Sequence, residues 1–300
     1  MIDLDDPNVR RHVAQKQRLR EAHERAGARA TSTSADGAPP GQRWTRAWVK
    51  LDLGREIPQS HDPWRAGDAF TVVFDRPSTG SSARVTLGAL RSANGGDWTE
   101  FGSSEWHCVT GWSARGLAFR GVSLDVVLDA AFGKGFKRDF ACLFQTSADG
   151  YTVSVDARDL SGAFLAVEDG DGKMLSRDHG GPRLCFPTLY GWKSAKYLNR
   201  VTLFEEHEDG FWEKLGCSRR GRWAHEERWQ SGSSARVWTV LAWITNRYRF
   251  FGEGVWVWVM VRGGAALGAL CAKWTSLFDL RRSETSYKRI PYYCNNITSK

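Results

Sequence analysis

Short runs of strand-forming residues, mixed with one clear amphipathic helix, most restrict the folds open to this chain. Residues 70–74 and 83–87 are rich in β-branched and aromatic side chains and are bounded by Gly, Pro and Asp, which predicts short strands. Ser123 is a good N-cap, and the apolar residues after it follow the i, i+3, i+4, i+7 spacing of a buried helix face. Those residues are Leu124, Val127, Leu128 and Ala131.

The rest of the pattern adds elements without a regular strand–helix alternation. A turn at residues 148–150 separates two predicted strands, and residues 159–167 predict a short helix. The four further strands are predicted at residues 139–144, 151–155, 182–187 and 201–204. Because strands and helices do not alternate, we predict an α+β fold with a mixed sheet and not a doubly wound one.

Composition divides the chain into three regions. Residues 1–38 are predicted to be a basic, largely disordered segment and linker, with a solvated helix over 8–29 that takes no part in chemistry. Residues 39–229 form the predicted domain. Residues 230–300 form an atypical Trp-rich tail, predicted to lie outside the domain. An apolar run in this tail approaches the length of a membrane span, but Arg262 interrupts it, so membrane association of the tail stays an alternative.

Charge and cysteine usage narrow the classes of function. The net charge of +8 favours an anionic partner, either nucleic acid, a membrane surface or a phosphorylated or sulfur-oxyanion ligand. The basic residues cluster near the ends with no nucleic-acid-binding pattern between them, so no nucleic-acid function is predicted. The six cysteines show no CxxC spacing, which argues against a zinc ribbon and a disulfide scaffold. The first nine residues carry no apolar signal region, which predicts a cytoplasmic protein.

Two stretches hold the candidate chemistry. Residues 106–113, Trp-His-Cys-Val-Thr-Gly-Trp-Ser, place the thiol of Cys108 among aromatic side chains; the alternative is that Cys108 is a buried small hydrophobe. Residues 177–196 alternate cationic and small residues, so they can present guanidinium, ammonium and backbone N–H groups to a phosphate. The alternative for this second stretch is an exposed basic loop.

Four motifs in this order resemble the molybdopterin-binding domain of the sulfite oxidase superfamily, especially its bacterial and fungal sulfite-oxidase-like branch. They are WHCVTGWS at 106–113, DGYT at 149–152, DHGGPR at 178–183 and LYGWKSAK at 189–196. Residues 39–42 and 209–213 fit the edges of that domain, so the resemblance covers roughly residues 39–229. Four ordered motifs are far more specific than one.

The resemblance implies an α+β fold that holds one molybdenum–molybdopterin cofactor, with Cys108 as the catalytic thiolate that ligates the metal. It implies oxygen-atom transfer to or from a small sulfur-containing substrate, sulfite-like or sulfoxide-like. The implied cofactor-binding residues are His107, Tyr151, Thr152, His179, Arg183, Ser194, Ala195 and Lys196. No haem or flavin motif is visible, so an external electron carrier is expected as partner.

The sequence departs from that family in three places. His179 and Arg183 stand one residue closer than in the usual family motif, which puts their joint contact with the cofactor in question. Val109–Ser113 replaces the arginine-rich stretch that helps true sulfite oxidases bind sulfite. No immunoglobulin-like dimerisation domain follows, so a monomer is predicted. The alternatives are a degenerate, cofactor-free relative without activity and, ranked last, a basic membrane- or nucleic-acid-associated protein.

Overall fold

The strand-forming runs pair into two sheets in this computed structural model, which describes residues 6–26, 37–45 and 57–230. In chain order the described strands are β1 (Arg43–Trp44), β2 (Thr71–Arg76), β3 (Ser81–Thr86), β4 (Thr99–His107), β5 (Trp112–Ser123), β6 (Cys142–Ser147), β7 (Thr152–Asp156), β8 (Phe164–Asp169), β9 (Arg183–Cys185) and β10 (Leu198–Phe204). The described α-helices are α1 (Pro7–Ala26), α2 (Pro63–Ala66), α3 (Leu87–Ala93), α4 (Leu124–Phe132) and α5 (Phe211–Lys214).

Both sheets have five strands and mix parallel with antiparallel pairing. The first has the order β1-β5-β8-β9, with β4 paired to β5, and the second has the order β3-β2-β10-β6-β7. The pairs β1–β5 and β2–β10 are parallel, and the other pairs are antiparallel. This arrangement confirms the α+β fold with mixed sheets.

Local patterns with a clear period were predicted correctly. Ser123 caps α4, since its hydroxyl accepts a hydrogen bond from the N–H of Val126, and the apolar face of α4 is buried. The turn at residues 148–150 joins β6 and β7 into the expected hairpin. The long strand β5 separates α4 from Cys108 along the chain.

The short helix predicted over residues 159–167 is wrong. A 3-10 turn at Ala157–Asp159 precedes the strand β8, which pairs with β5 on one side and β9 on the other. The residues from Phe164 to Val167 are all buried, so this central strand lacks the alternation by which a strand is recognised.

The prediction of a solvated N-terminal helix is also wrong for one face of α1. Val9, His12 and Lys16 are buried, and their spacing places them on the same side of the helix. The sequence argument counted apolar residues only, and two of these three are polar. No described helix is long and apolar enough to cross a membrane. The linker at 31–36 and the tail at 231–300 lie outside the described residues, and the domain boundaries stay predictions.

Two apolar clusters set the position of the candidate site. The first joins buried side chains of both sheets with those of α3 and α4, for example Leu143, Leu165 and Leu124. The second joins Val9 of α1 to Val109, Tyr151, Tyr190, Trp192 and Trp212. The second cluster therefore brings the Cys108 stretch, the residue 149–152 stretch and the residue 189–196 stretch together.

Close approach of β5 and β8 leads to a stability prediction. A Cβ atom at Gly121 would lie 1.9 Å from the carbonyl oxygen of Leu165. Gly121→Ala should therefore lower the free energy of unfolding by about 3 kcal/mol, because backbone must move to make room. Gly102→Ala in β4 is the control, since its Cβ would meet its nearest neighbour at 3.6 Å. Denaturant unfolding measures both, and equal stabilities would contradict the packing described for β5 and β8.

Candidate active site

A pocket lies beside the turn that connects β4 to β5. Cys108, Thr110 and Trp112 of that turn line it, together with Arg183, Ser194 and Lys196 of the basic stretch. It encloses about 890 Å³ of empty space, part of it open to solvent. We call it the Cys108 pocket.

The turn at residues 108–112, here the Cys108 turn, presents the thiol to the pocket. The N–H of Cys108 donates to the carbonyl of Trp112 at 2.9 Å, and the N–H of Gly111 donates to the carbonyl of Cys108 at 3.0 Å. Gly111 has a φ of +90°, which favours glycine at this position. The Cys108 sulfur lies 3.1 Å from the hydroxyl of Thr110, and its side chain is only 7% exposed.

Two distant side chains hold the backbone of this turn. The amide of Gln42 donates to the carbonyl of Cys108 at 3.1 Å. The guanidinium of Arg228 donates to the carbonyl of Val109 at 2.8 Å and to that of Pro40 at 3.1 Å. Gln42 and Arg228 are both buried, so these bonds are shielded from water. Sequence reasoning placed Gln42 only at the edge of the domain and did not single out Arg228.

His107 precedes the thiol but does not line the pocket. Its Nδ1 lies 2.8 Å from the hydroxyl of Ser113, and its ring centroid lies 4.3 Å from that of Trp223. Burial lowers the pKa of His107 to about 4, so the ring is neutral at pH 7. The structure therefore places His107 behind the Cys108 turn as packing and hydrogen-bonding support.

Arg183 ties the two halves of the basic stretch together. Its Nε donates to the hydroxyl of Ser194 at 2.7 Å, and its Nη1 donates to the carbonyl of His179 at 2.7 Å. The guanidinium also lies 4.6 Å from the ring centroid of Trp106, as in a cation–π contact. The short spacing from His179 to Arg183 therefore gives a side-chain-to-backbone bond, and His179 itself does not line the pocket.

Two buried side chains hold the backbone of residues 191–196 through hydrogen bonds. The hydroxyl of Tyr151 donates to the carbonyl of Trp192 at 2.6 Å. The amide of Gln145 donates to the carbonyl of Lys193 at 2.7 Å and accepts from the N–H of Ala195 at 3.2 Å. Gln145 was missed by sequence reasoning, because a single glutamine inside a strand carries no recognisable motif.

The structure brings five of the nine proposed site residues to the pocket wall: Cys108, Tyr151, Arg183, Ser194 and Lys196. The other four, His107, Thr152, His179 and Ala195, do not line it. Thr152 lies in the β6–β7 ladder, and Ala195 is buried against Gln145.

The other eleven residues of the wall were not proposed as site residues, although seven of them lie within the four motifs. The missed residues are His12, Gln15 and Lys16 of α1, the indoles of Trp106, Trp112, Trp192 and Trp212, and Asp149, with Val109, Thr110 and Gly191. The fifteen tryptophans are spread along the whole chain, so their number did not point to four of them in one wall.

The chemistry of the wall fits a flat anionic molecule that brings a soft metal. The wall carries the cations Lys16, Arg183 and Lys196 against the one carboxylate of Asp149. The buried indole N–H of Trp192 has no hydrogen-bond acceptor among the described residues. Indole faces suit a planar ring system, and a thiolate suits a soft metal ion. No group of three or more His, Cys, Asp or Glu in the described part of the chain could hold a metal by itself.

Comparisons with known proteins agree with this chemistry. The family described as oxidoreductase molybdopterin binding domain matches residues 95–212. The uncharacterized oxidoreductase YuiH of Bacillus subtilis strain 168 is 35% identical over 193 residues, which cover 63% of this chain and 90% of that relative. The sulfane dehydrogenase SoxCD of Paracoccus pantotrophus matches with a TM-score of 0.37 and 17% identity, over 46% of this chain and 39% of that chain.

Because the Bacillus relative is matched over nearly its whole length, the chain belongs to the sulfite-oxidase-type family of oxidoreductases with a molybdopterin-binding domain. It is a molybdopterin-dependent oxidoreductase, which confirms the family and the enzyme class that the four motifs indicated.

The support of the Cys108 turn by Arg228 gives a testable prediction. Arg228→Met removes the donors to Val109 and Pro40, so the turn should open more often and Cys108 should react faster with iodoacetamide. We expect a loss of about 2–3 kcal/mol in stability of the turn, because bonds from a charged donor are lost. Peptide mass spectrometry of the cofactor-free protein measures the labelling rate.

Arg222→Met is the matched control for that experiment, since Arg222 pairs with Glu227 and no hydrogen bond or ion pair joins it to the Cys108 turn in the described part of the chain. Labelling of the fully buried Cys142 in the same sample reports global unfolding. Equal labelling of Cys108 in the wild type and in Arg228→Met would contradict the role given to Arg228.

Proposed function

We propose that this enzyme is a molybdenum-pterin oxidoreductase that moves an oxygen atom to or from a small sulfur-containing substrate, sulfite-like or sulfoxide-like. Electrons would pass to or from an external carrier. The observation that carries the proposal is the thiol of Cys108 in the wall of the same pocket as Arg183, Ser194 and Lys196. The chemistry supplied by a bound molybdenum-pterin cofactor is two-electron oxidation and reduction coupled to oxygen-atom transfer.

Cys108 is the residue that would hold the metal. A thiolate is a soft ligand, and ligation keeps it deprotonated whatever its free pKa. It is the one cysteine that lines the pocket among the four described, and the others are buried elsewhere. Burial raises the pKa of the Cys185 thiol to about 11, as expected for an unreactive core cysteine.

Ser194 and Lys196 would hold the phosphate of the pterin, and Arg183 would keep their segment in place. An ammonium and nearby backbone N–H groups are suitable phosphate donors, and the Ser194 hydroxyl, which donates to the carbonyl of Leu184 here, would turn to the phosphate on binding. Gly180 lets the loop approach this segment, because a Cβ there would lie 2.4 Å from the Cβ of Lys196. The loop and the segment therefore form one cradle beside Cys108.

The side chains of the Cys108 turn are neutral, which affects the choice of substrate. Val109, Thr110 and Trp112 line the pocket, and none of them supplies the cationic groups that an oxyanion such as sulfite requires from this turn. Both sulfite-like and sulfoxide-like compounds are therefore candidate substrates of the enzyme. Its cytoplasmic location and monomeric state stay predictions from the sequence.

The proposal predicts the metal content of the purified protein. Full-length protein made in a host that synthesises molybdopterin should carry about one molybdenum per chain, because Cys108 can provide one thiolate ligand. Cys108→Ser should lose most of the metal, since an alkoxide is a poorer ligand for such a shell. Cys142→Ser is the control, because Cys142 is buried in β6 away from the pocket wall. Elemental analysis measures all three proteins.

A wild-type protein without molybdenum would overturn the proposal in favour of a degenerate, cofactor-free relative. A Cys108→Ser variant with full metal content would show that Cys108 does not hold the metal. Loaded protein should then be screened with a redox dye against sulfite and against a set of sulfoxides. Turnover with either class identifies the substrate chemistry, and inactivity towards both would exclude the oxygen transfer proposed.

A further inference from the structure

The N-terminal helix contributes one wall of the Cys108 pocket. Val9 of α1 belongs to the same apolar cluster as Val109, Trp192 and Trp212, and Lys16 stands two turns further along the same helix face. His12, Gln15 and Lys16 all line the pocket. The helix therefore presents polar side chains to the space beside Cys108.

Lys16 is buried there, and no described residue forms an ion pair with it. Its side chain is only 7% exposed, and its ammonium lies 3.5 Å from the ring centroid of Trp212 and 5.8 Å from that of Trp192. Among the described residues it makes no hydrogen bond and no ion pair. Within the described part of the chain, its close contacts are with the two indole faces, which attract a cation less strongly than a bonded anion does.

A second buried lysine shows how this chain treats a structural ammonium. Lys193 is fully buried, and its Nζ donates to the carboxylate of Glu213 at 2.6 Å and to the carbonyl of Ser154 at 2.9 Å. Lys193 is thus satisfied by the protein itself, whereas Lys16, which also lies beside Trp192, has no such bonds among the described residues. Burial lowers the pKa of Lys16, and the nearby Cys217, Cys108 and Glu213 offset this in part.

A buried ammonium without a bonded anion destabilises a fold, so its position in a pocket wall points to a ligand that supplies the anion. We propose that Lys16 is an anion-binding residue of the Cys108 pocket, brought by the N-terminal helix to an oxyanion group of the bound molecule. The oxyanion is either the phosphate of the pterin or an oxyanion group of a small substrate. The inference rests on the proposed function of this pocket, and it assigns a binding role to a helix outside the four motifs.

The first test uses full-length protein made without cofactor and titrated with inorganic phosphate and with sulfate, followed by tryptophan fluorescence. Lys16→Met should bind both anions roughly tenfold more weakly, because one charged donor is removed, and Lys16→Arg should retain most of the affinity. Arg18→Met is the matched control, since Arg18 is exposed on the same helix. Equal affinities of the wild type, Lys16→Met and a second variant, Lys16→Gln, would overturn the inference.

The melting temperature separates ligand binding from a purely structural role. Lys16→Met should raise the Tm of the cofactor-free protein, because it removes an unpaired buried charge and keeps the apolar stem. A structural lysine would lower the Tm on the same substitution. A lower Tm together with unchanged anion affinity would therefore refute the role proposed for Lys16.

The source of the anion is decided in protein made in a molybdopterin-competent host. A several-fold lower molybdopterin content in Lys16→Met than in Arg18→Met would identify the cofactor phosphate. Equal molybdopterin content, with weaker inhibition of turnover by sulfate in Lys16→Met, would identify a substrate oxyanion. Equal molybdopterin content with equal inhibition would overturn the inference. A wild type that carries no molybdopterin would refute the proposed function, while the anion titration would still decide the role of Lys16.

Discussion

The carbonyls of the Cys108 turn are fixed by side chains from opposite ends of the described domain. Gln42 holds the carbonyl of Cys108, and Arg228 holds that of Val109 while it also binds the backbone at Pro40. These bonds are buried. The carbonyl of Cys108 also accepts from the N–H of Gly111, whereas loss of Arg228 would remove the donor to the carbonyl of Val109. The position of the thiol therefore depends on Gln42 and Arg228, which are distant in sequence, and not on the turn alone.

A similar principle sets the opposite wall of the pocket. Gln145, in the middle of β6, donates to the carbonyl of Lys193 and accepts from the N–H of Ala195. Tyr151 donates to the carbonyl of Trp192. Arg183 then links this segment to the preceding loop. Residues that touch no ligand thus fix the residues that line the pocket, which is the arrangement that precise cofactor positioning requires.

Elements with a strong local signal could be predicted from the sequence, and elements defined by long-range contacts could not. The cap and apolar face of α4 and the β6–β7 hairpin are local, and both were predicted. The strand β8 is buried on both sides and has no alternation, so its pattern resembled a helix. Gln42 and Arg228 act on residues 66 and 119 positions away, and nothing in their own neighbourhood indicates this.

The motifs located the pocket but described only part of its wall. Twelve residues of the four motifs line it, and five of these are among the nine proposed site residues. The indoles and α1 were missed because their roles depend on packing. Lys16 in particular lies in a segment that composition assigned to solvent, since a buried cation is outside what apolar periodicity can detect.

The central claim is that the thiolate of Cys108 binds molybdenum within this pocket. X-ray absorption at the molybdenum edge, on loaded wild type and on residual loaded Cys108→Ser, tests it most directly because it counts the sulfur neighbours of the metal. The account predicts a metal shell that contains one sulfur fewer in the variant. A sulfur shell that is the same in both proteins would show that Cys108 is not a ligand and would contradict the account.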